Sequence, residues 1–532
     1  MKKSKLGKYA IAATVGASLL FQQIQNVHAE ATSQYSVPPK HELRAAWIAS
    51  VVNIDWPSAT GLSEMQQKSE FIKLLDDVEK MGMNSVVVQI KPTADAFYPS
   101  EYGPWSKYLT GTQGKDPGYD PLAFMVEEAH KRNIEFHAWF NPYRITMPRT
   151  APGDATLADL NTLAENHPAR KHPDWVVPYG KQLYFDPGNP DARQFIIDGI
   201  MEVVKKYDID AVHLDDYFYP YRIAGQEFPD QSSFEKYGKQ KFANIEDWRR
   251  DNVNQFVKIL HNSIKKEKSY VKFGISPFGV WRNIAKDPTG SNTTAGQTNY
   301  DDLFADTREW INKEYLDYIT PQIYWNIGFE PAAYDILANW WTKEVKGKNI
   351  DLYIGQADYK INDNNAAWAL PDELPKQIEL NRTIPEIKGS MHFSITDLNR
   401  NPLGIKDRLS QDLYKTKALI PSMPWLDDQA PKKPKFENAS RTKDGIQLTL
   451  NTHPNDQDVS YYVVYRFDGL HKESIDDPRN ILTTVRKSEN GKTTYLDTTA
   501  NIDKDYTYEI TAVDRLHNES KVSNQIKVKG KK

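Results

Sequence analysis

The chain has 532 residues, enough for two or three domains and a large core. Its formal net charge is −4, with 67 basic and 71 acidic side chains, which argues against a nucleic-acid partner because phosphate contacts need a basic surface. Cysteine is absent, so disulfides, thiol catalysis and thiolate metal sites are excluded together.

The N-terminus has the layout of a secretory signal. Lys2, Lys3, Lys5 and Lys8 precede the apolar run YAIAATVGASLLF, and Val27 and Ala29 supply small residues before Glu30. This predicts a signal over residues 1–29, cleaved after Ala29, and a secreted or cell-wall-associated protein with no membrane insertion after cleavage. A retained anchor is the alternative, although the run is short for a bilayer span. Residues 30–41 read as a linker.

From Glu42 onward, β-rich runs alternate with amphipathic helical stretches. The β runs are Leu43–Val51, Ser85–Pro92, Ile134–Tyr143, Ala211–Asp216, Val271–Phe278, Tyr318–Trp325, Asp351–Asp358 and Ser390–Asp397. Helical periodicity covers Glu64–Met81, Pro121–Lys131, Asp191–Tyr207, Ile245–Glu267 and Pro371–Asn381. Eight such alternations predict an α/β fold, a (β/α)8 TIM barrel over residues 42–420. The span is long for that fold, and the excess follows the third, fourth and fifth strands, where loops build the catalytic face.

Period-two alternation orients the strands. Val212 and Leu214 share one face, and His213 and Asp215 the other. Phe136, Ala138 and Phe140 alternate with His137, Trp139 and Asn141, and Val86, Val88 and Ile90 with Gln89 and Lys91. The apolar sets are expected to meet the helices, and the polar sets to point into the barrel and gather at its C-terminal mouth. Trp47 shares a face with Ala45 and Ala49 and reads as core.

Prolines and lysines mark a second linker over residues 421–435. Residues 436–530 then show only short β runs separated by turn signals, which predicts an all-β sandwich. YYVVYRF and YTYEITAVDRLHNES resemble strands of a fibronectin type III module. NDQD, at residues 455–458, has cation-binding oxygens but reads as a solvated turn.

No Gly-rich phosphate loop, H-E-x-x-H helix or G-x-S-x-G elbow is present. No cofactor and no metal are therefore expected, carboxylates and aromatics at the barrel mouth make a polysaccharide the expected partner, and a monomer is expected. Glycoside hydrolysis needs one acid to protonate the leaving oxygen and a second group for the oxocarbenium-like centre. Asp215 lies at a strand end on the inward face, and Asp216 follows where the strand stops. If both turn inward, repulsion raises one pKa. Helix capping or loop ordering is the competing role for Asp216. Glu330 and Asp358 are alternative second carboxylates, and Asp55, Asp95 and Asp397 also lie near strand ends. His213, Lys91, Asn141, Arg144 and Gln322 are candidates for sugar hydroxyls. Trp56, Trp139, Tyr143, Tyr217, Tyr219, Tyr324 and Trp325 are candidate aromatic platforms.

The motifs ELRAAWIASVVNIDWP, FHAWFNPYR, DAVHLDDYFYP, FGISPFGVWRN and PQIYWN, in that order, resemble the glycosyl hydrolase-like 10 family over roughly Pro39 to Ile420. The resemblance implies a barrel, an extracytoplasmic location and action on bacterial cell-wall glycan strands. Chitinase-like barrels carry D-x-x-D-x-D-x-E on the fourth strand. Here Asp210, His213, Asp215 and Tyr217 occupy those places, so the terminal glutamate is missing. The adjacent acids look more like certain hexosaminidases, in which the sugar's own 2-acetamido oxygen attacks, one acid orients it and its neighbour donates the proton. Peptidoglycan sugars carry that group. Two alternatives stand beside this expectation: a non-catalytic cell-wall glycan-binding protein, and a hydrolase of another extracellular polysaccharide.

Overall fold

All eight β runs contribute strands to one closed, parallel barrel. The computed structural model describes residues 38–451, 458–471, 473–488 and 492–531. The expected signal, most of the first linker and residues 455–457 of the NDQD turn lie outside them. The first strands are β1 (Leu43–Ile48), β2 (Ser85–Lys91) and β3 (Glu135–Phe140). A hairpin of β4 (Val176–Tyr179) and β5 (Gln182–Phe185) follows, and then β6 (Ala211–Leu214) and β7 (Lys272–Ile275). β8 (Tyr318–Ile319), β9 (Asp351–Ala357) and β10 (Ile387–Phe393) complete the set. The ring order is β1-β10-β9-β8-β7-β6-β3-β2.

Local sequence fixes the helix starts. Helix α1 (Glu64–Lys80) opens on a capping box, in which Ser63 accepts from the Gln66 backbone and Gln66 accepts from the Ser63 backbone. Asp120, Asn189 and Asn244 cap α2 (Pro121–Lys131), α3 (Pro190–Lys206) and α4 (Ile245–Glu267). The structure adds α5 (Thr307–Asn312) and α6 (Tyr334–Val345) before α7 (Glu373–Arg382). Neither α5, α6 nor the β4–β5 hairpin is expected from periodicity. The first is short, the second is rich in Trp and Tyr, and the hairpin strands span four residues each.

The alternation predicts the faces. Val86, Val88, Phe136, Ala138, Val212 and Leu214 pack outward in one cluster with helix residues such as Leu75, Val203 and Phe256. Each Val, Leu and Phe among them contributes roughly 1.5–3 kcal/mol by leaving water. Trp47, Val87, Trp139, Tyr318, Tyr353 and Met391 fill the barrel interior. Gly274 makes room for this filling: a Cβ there would lie 2.0 Å from the Tyr318 ring. Gly274→Ala is expected to destabilise by about 1–3 kcal/mol through overpacking, read as a lowered urea midpoint with unchanged slope.

A polar chain threads the interior. Glu135 meets Lys272 Nζ at 2.5 Å and His137 at 3.0 Å, and the Tyr318 hydroxyl lies 2.9 Å from both His137 and His213. His213 reaches Ser276 Oγ at 3.0 Å. Glu135 and Lys272 begin their strands, so this chain starts at the N-terminal floor of the barrel and rises toward the mouth.

The C-terminal region forms two antiparallel sheets that share a core. One holds β11 (Lys435–Arg441), β12 (Ile446–Asn451) and β15 (Lys492–Asp497). The other holds β14 (Ile481–Arg486), β13 (Tyr461–Asp468), β16 (Tyr506–Val513) and β17 (Ile526–Val528). Phe436, Ile446 and Leu448 of the first sheet meet Tyr462, Val464 and Ile510 of the second. The second sheet sits against the barrel floor, where Leu419 packs among Tyr461, Val463 and Tyr465. There His517 Nε2 lies 2.7 Å from Glu135, and Arg515 pairs with Asp208 at 2.5 Å. The segment read as the second linker is partly built in, with Met423 in the interior cluster and Trp425 and Leu426 packed against it. With the floor closed, the C-terminal mouth is the end left for a ligand.

Candidate active site

Asp215 and Asp216 follow β6 directly, where the chain leaves the ring. Both are buried, at 6 % and 5 % exposure. Asp215 accepts from Asn141 Nδ2 through one oxygen and from the Tyr217 backbone N–H, at 3.1 Å, through the other. The Asn141 amide is itself oriented. Its Oδ1 accepts from Gln89 Nε2 at 2.6 Å, while Gln89 Oε1 accepts from the backbones of Ser50 and Val51 at 3.0 and 2.9 Å. The loop after β1 thus sets β2, which sets Asn141, which sets Asp215.

Asp216 also turns inward. It accepts from the Tyr221 hydroxyl and, at 3.2 Å, from Gln322 Nε2, which also donates to Ser276 O at 2.8 Å. Burial, with the charge of Asp216 second, pushes the Asp215 carboxyl up to about 7, against the opposing influence of Arg144, the Tyr217 N–H and Asn141. Burial raises Asp216 as well, and the Tyr221 and Gln322 hydrogen bonds oppose it. Two buried carboxyls side by side resist carrying two charges, and burial pushes both upward. A carboxylic acid beside a carboxylate can donate a proton and hold a positive or N–H group in the same pocket.

The walls differ across the mouth. On the β3–β6 side, the Arg144 guanidinium lies 5.2 Å from the Tyr217 ring centre, and Tyr217 meets Tyr221 edge-on at 5.6 Å. Phe278 joins Tyr221 to Trp325 through contacts of 6.1 and 5.6 Å. On the opposite β8–β10 side, Tyr324 and Phe393 stack at 6.5 Å, and Tyr359, 46 % exposed, stands edge-on to both. Such half-buried rings suit the faces of sugars.

The mouth therefore gathers Asp215, Asp216, Asn141, Arg144, Tyr217, Gln322, Tyr324 and Trp325 from the expected set. Others are placed elsewhere. His213 is fully buried one layer below, held by Tyr318 and Ser276, and supports the floor of the site instead of meeting a sugar. Trp139, paired in register with His213, is interior core. Trp56 is sealed against Phe71 and donates Nε1 to Gln67 O at 2.9 Å. Tyr143 packs on Phe256 of α4, and Tyr219 on Phe228 and Phe304. Lys91 turns outward because a register shift after Gln89 pairs it with Phe140, and its Nζ donates to Tyr102 O at 3.3 Å.

Among the alternative carboxylates, Asp358 is fully buried and bonded to His392 at 3.0 Å, while Glu330 is exposed on the loop after β8. Asp55 ties Ala49 N to Ser394 and Thr396, Asp95 binds Thr93 and Gln113, and Asp397 pairs with Arg400, so each orders a loop. Asp210 serves the floor, bonded to His130 at 2.8 Å and to the Phe136 backbone at 2.9 Å. Sequence reasoning missed Tyr221, Phe278, Tyr359 and Phe393. Phe393 and Phe278 left a signal, since they share strand faces with the inward residues Met391 and Ser276.

A parallel barrel whose C-terminal mouth holds two adjacent buried carboxylates between aromatic walls defines a glycoside hydrolase type of scaffold. The glycosyl hydrolase-like 10 family model matches residues 42–370, and the chain belongs to that family. It is 64 % identical over 488 residues to glycosyl hydrolase YngK of Bacillus subtilis (strain 168), covering 91 % of this chain and 93 % of that one. It is 41 % identical over 387 residues to glycosyl hydrolase DigH of Escherichia coli (strain K12), covering 70 % and 86 %. Among solved structures, the PgaB (BpsB) glycoside hydrolase domain from Bordetella bronchiseptica is similar, with a TM-score of 0.43 at 12 % identity, covering 70 % of this chain and 98 % of that domain.

Proposed function

We propose that this protein is an exported glycosidase that cleaves bacterial cell-wall glycan strands, with the substrate's 2-acetamido group as nucleophile. The observation that carries this reading is the Asp215–Asp216 pair, buried side by side at the mouth, with burial raising both carboxyls and Asp215 pushed up to about 7. Asp215 protonates the glycosidic oxygen as its bond to the anomeric carbon breaks. Asp216, whose anionic form the Tyr221 and Gln322 donors favour, accepts a hydrogen bond from the acetamido N–H while the acetamido oxygen closes on the anomeric carbon to an oxazolinium ion. Asp215 then takes a proton from the water that opens this ring, which restores the acid and retains the anomeric configuration. The C-terminal sandwich is read as an accessory module of fibronectin type III kind, and export as the work of residues 1–29.

Mass spectrometry of digests of intact peptidoglycan, peptide-free strands and chitin oligomers tests the substrate. No cleavage of any 2-acetamido glycan would sink the reading. An inverted product, or indifference to a thiazoline mimic, would sink the substrate-assisted step alone.

The pH dependence has a definite sign. Asp215 works protonated, so kcat is expected to fall as pH rises through about 7. Tyr221→Phe removes a donor that favours the Asp216 anion, so Asp216 stays protonated to higher pH. The acid limb of the profile should move upward, and kcat at neutral pH should drop by about 10- to 100-fold. An unmoved limb would remove Tyr221 from the mechanism.

A further inference from the structure

Arg144 is the unexplained charge at the mouth. It is only 6 % exposed, yet it takes part in no ion pair among the described residues. Its Nε donates to Pro92 O at 2.9 Å, which fixes the plane of the guanidinium, and the group lies 5.2 Å from the Tyr217 ring centre. The Nη1 and Nη2 groups make no hydrogen bond to any described residue. Neither is among the sealed, unpartnered side-chain atoms, so the fork keeps access to solvent and is free to take a ligand. Its charge acts on both Asp215 and Asp216, but no hydrogen bond or ion pair joins it to either carboxyl among the described residues. The paired donors of a guanidinium fit a planar carboxylate better than sugar hydroxyls.

We infer that Arg144 recognises a carboxylate borne by the sugar next to the scissile bond. This rests on the glycosidase reading and deepens it. In peptidoglycan that group is the lactyl ether carboxylate. In other acidic glycans it is the carboxyl of a uronic acid. A cation at this place also offsets the remaining negative charge of the aspartate pair, which would otherwise repel an acidic sugar.

The test measures binding in the Asp215→Asn protein, so that it stands apart from turnover. The probes are the N-acetylglucosamine–N-acetylmuramic acid disaccharide, the same sugar with its lactyl carboxyl reduced to the alcohol, and a uronic acid oligosaccharide. The expected result is about 30-fold tighter binding of one carboxylate probe than of the neutral one, because a bidentate charged hydrogen bond supplies that much discrimination. Adding Arg144→Gln should abolish the preference, and Arg144→Lys should restore part of it. The carboxylate probe that wins identifies the source. Equal binding of neutral and acidic probes, or a preference that survives Arg144→Gln, overturns the inference. If Arg144 only balances the aspartate pair, Arg144→Gln shifts the pH profile on neutral chitin oligomers and leaves probe discrimination intact. If the wild type cleaves none of the glycans yet discriminates between the probes, the glycosidase reading fails and the Arg144 inference stands.

Discussion

Asp215→Asn is expected to lower kcat/KM by about 10³-fold or more, since a positioned general acid contributes in the range of 10²- to 10⁴-fold and the same carboxyl serves twice in the proposed cycle. KM should change little, because the amide keeps the shape of the side chain. The stability effect runs the other way. Burial and the neighbouring Asp216 push the Asp215 carboxyl up to about 7, against about 3.9 for a free side chain. Between those values the folded state binds the extra proton, so the wild type loses stability as pH rises from about 4 to 7. Asparagine has no charge to desolvate, but its single oxygen satisfies only one of the Asn141 and Tyr217 donors, which offsets about half of the gain. The variant should therefore be more stable than the wild type above pH 7, by on the order of 2 kcal/mol, and lose that margin below pH 4. Activity assays with thermal melts at pH 4.5 and 8 check both halves. A variant that is inactive and less stable at both pH values would mean that Asp215 holds the loop and does no proton transfer. An Asp216→Asn protein with full activity would remove the adjacent pair from the mechanism.

What the sequence disclosed about this site follows from the range over which each signal operates. Alternation along β2, β3 and β6 placed Gln89, Asn141 and Asp215 on the inward face, because a strand repeats every two residues whatever surrounds it. The same rule failed at Lys91, where the register shift after Gln89 reverses the face. It also could not rank depth. His213 and Asp215 share a face, yet one lies in the packed interior and the other at the mouth, and only barrel closure separates them. Past the strand ends the period is gone. Tyr217, Tyr219 and Tyr221 look alike in DDYFYPY, but Tyr219 is captured by Phe228 and Phe304 from other loops while Tyr221 bends back to Asp216. Such long-range partners leave no local trace, and the same holds for Glu135, in sequence simply the second residue of the Ile134–Tyr143 run.

Glu135 should be the most sensitive charged position outside the mouth. Its carboxylate is 5 % exposed and serves three partners from three parts of the chain: Lys272 on β7 at 2.5 Å, His137 on its own strand at 3.0 Å, and His517 of the sandwich at 2.7 Å. Burial alone would raise its pKa, but Lys272 and His517 override that and hold it well below the usual carboxylate range. Because the folded value is depressed, the stabilisation is present above about pH 4.3, the ordinary glutamate value, and is lost as pH falls through the folded value. Glu135→Gln keeps the shape and removes the charge, leaving the Lys272 ammonium, 1 % exposed, without its counterion. A loss of about 3–5 kcal/mol is expected at pH 7, read from urea unfolding. The loss should shrink in acid, where the wild type forfeits the same charge. Removing both charges in Glu135→Gln/Lys272→Met should recover most of it, since a buried pair replaced by apolar volume is often neutral. Because His517 shares the carboxylate, Glu135→Gln should also expose the junction between barrel and sandwich to proteolysis before either part unfolds. A wild-type urea midpoint for Glu135→Gln would mean that apolar packing of Leu419 against Tyr461 and Val463 holds the floor by itself.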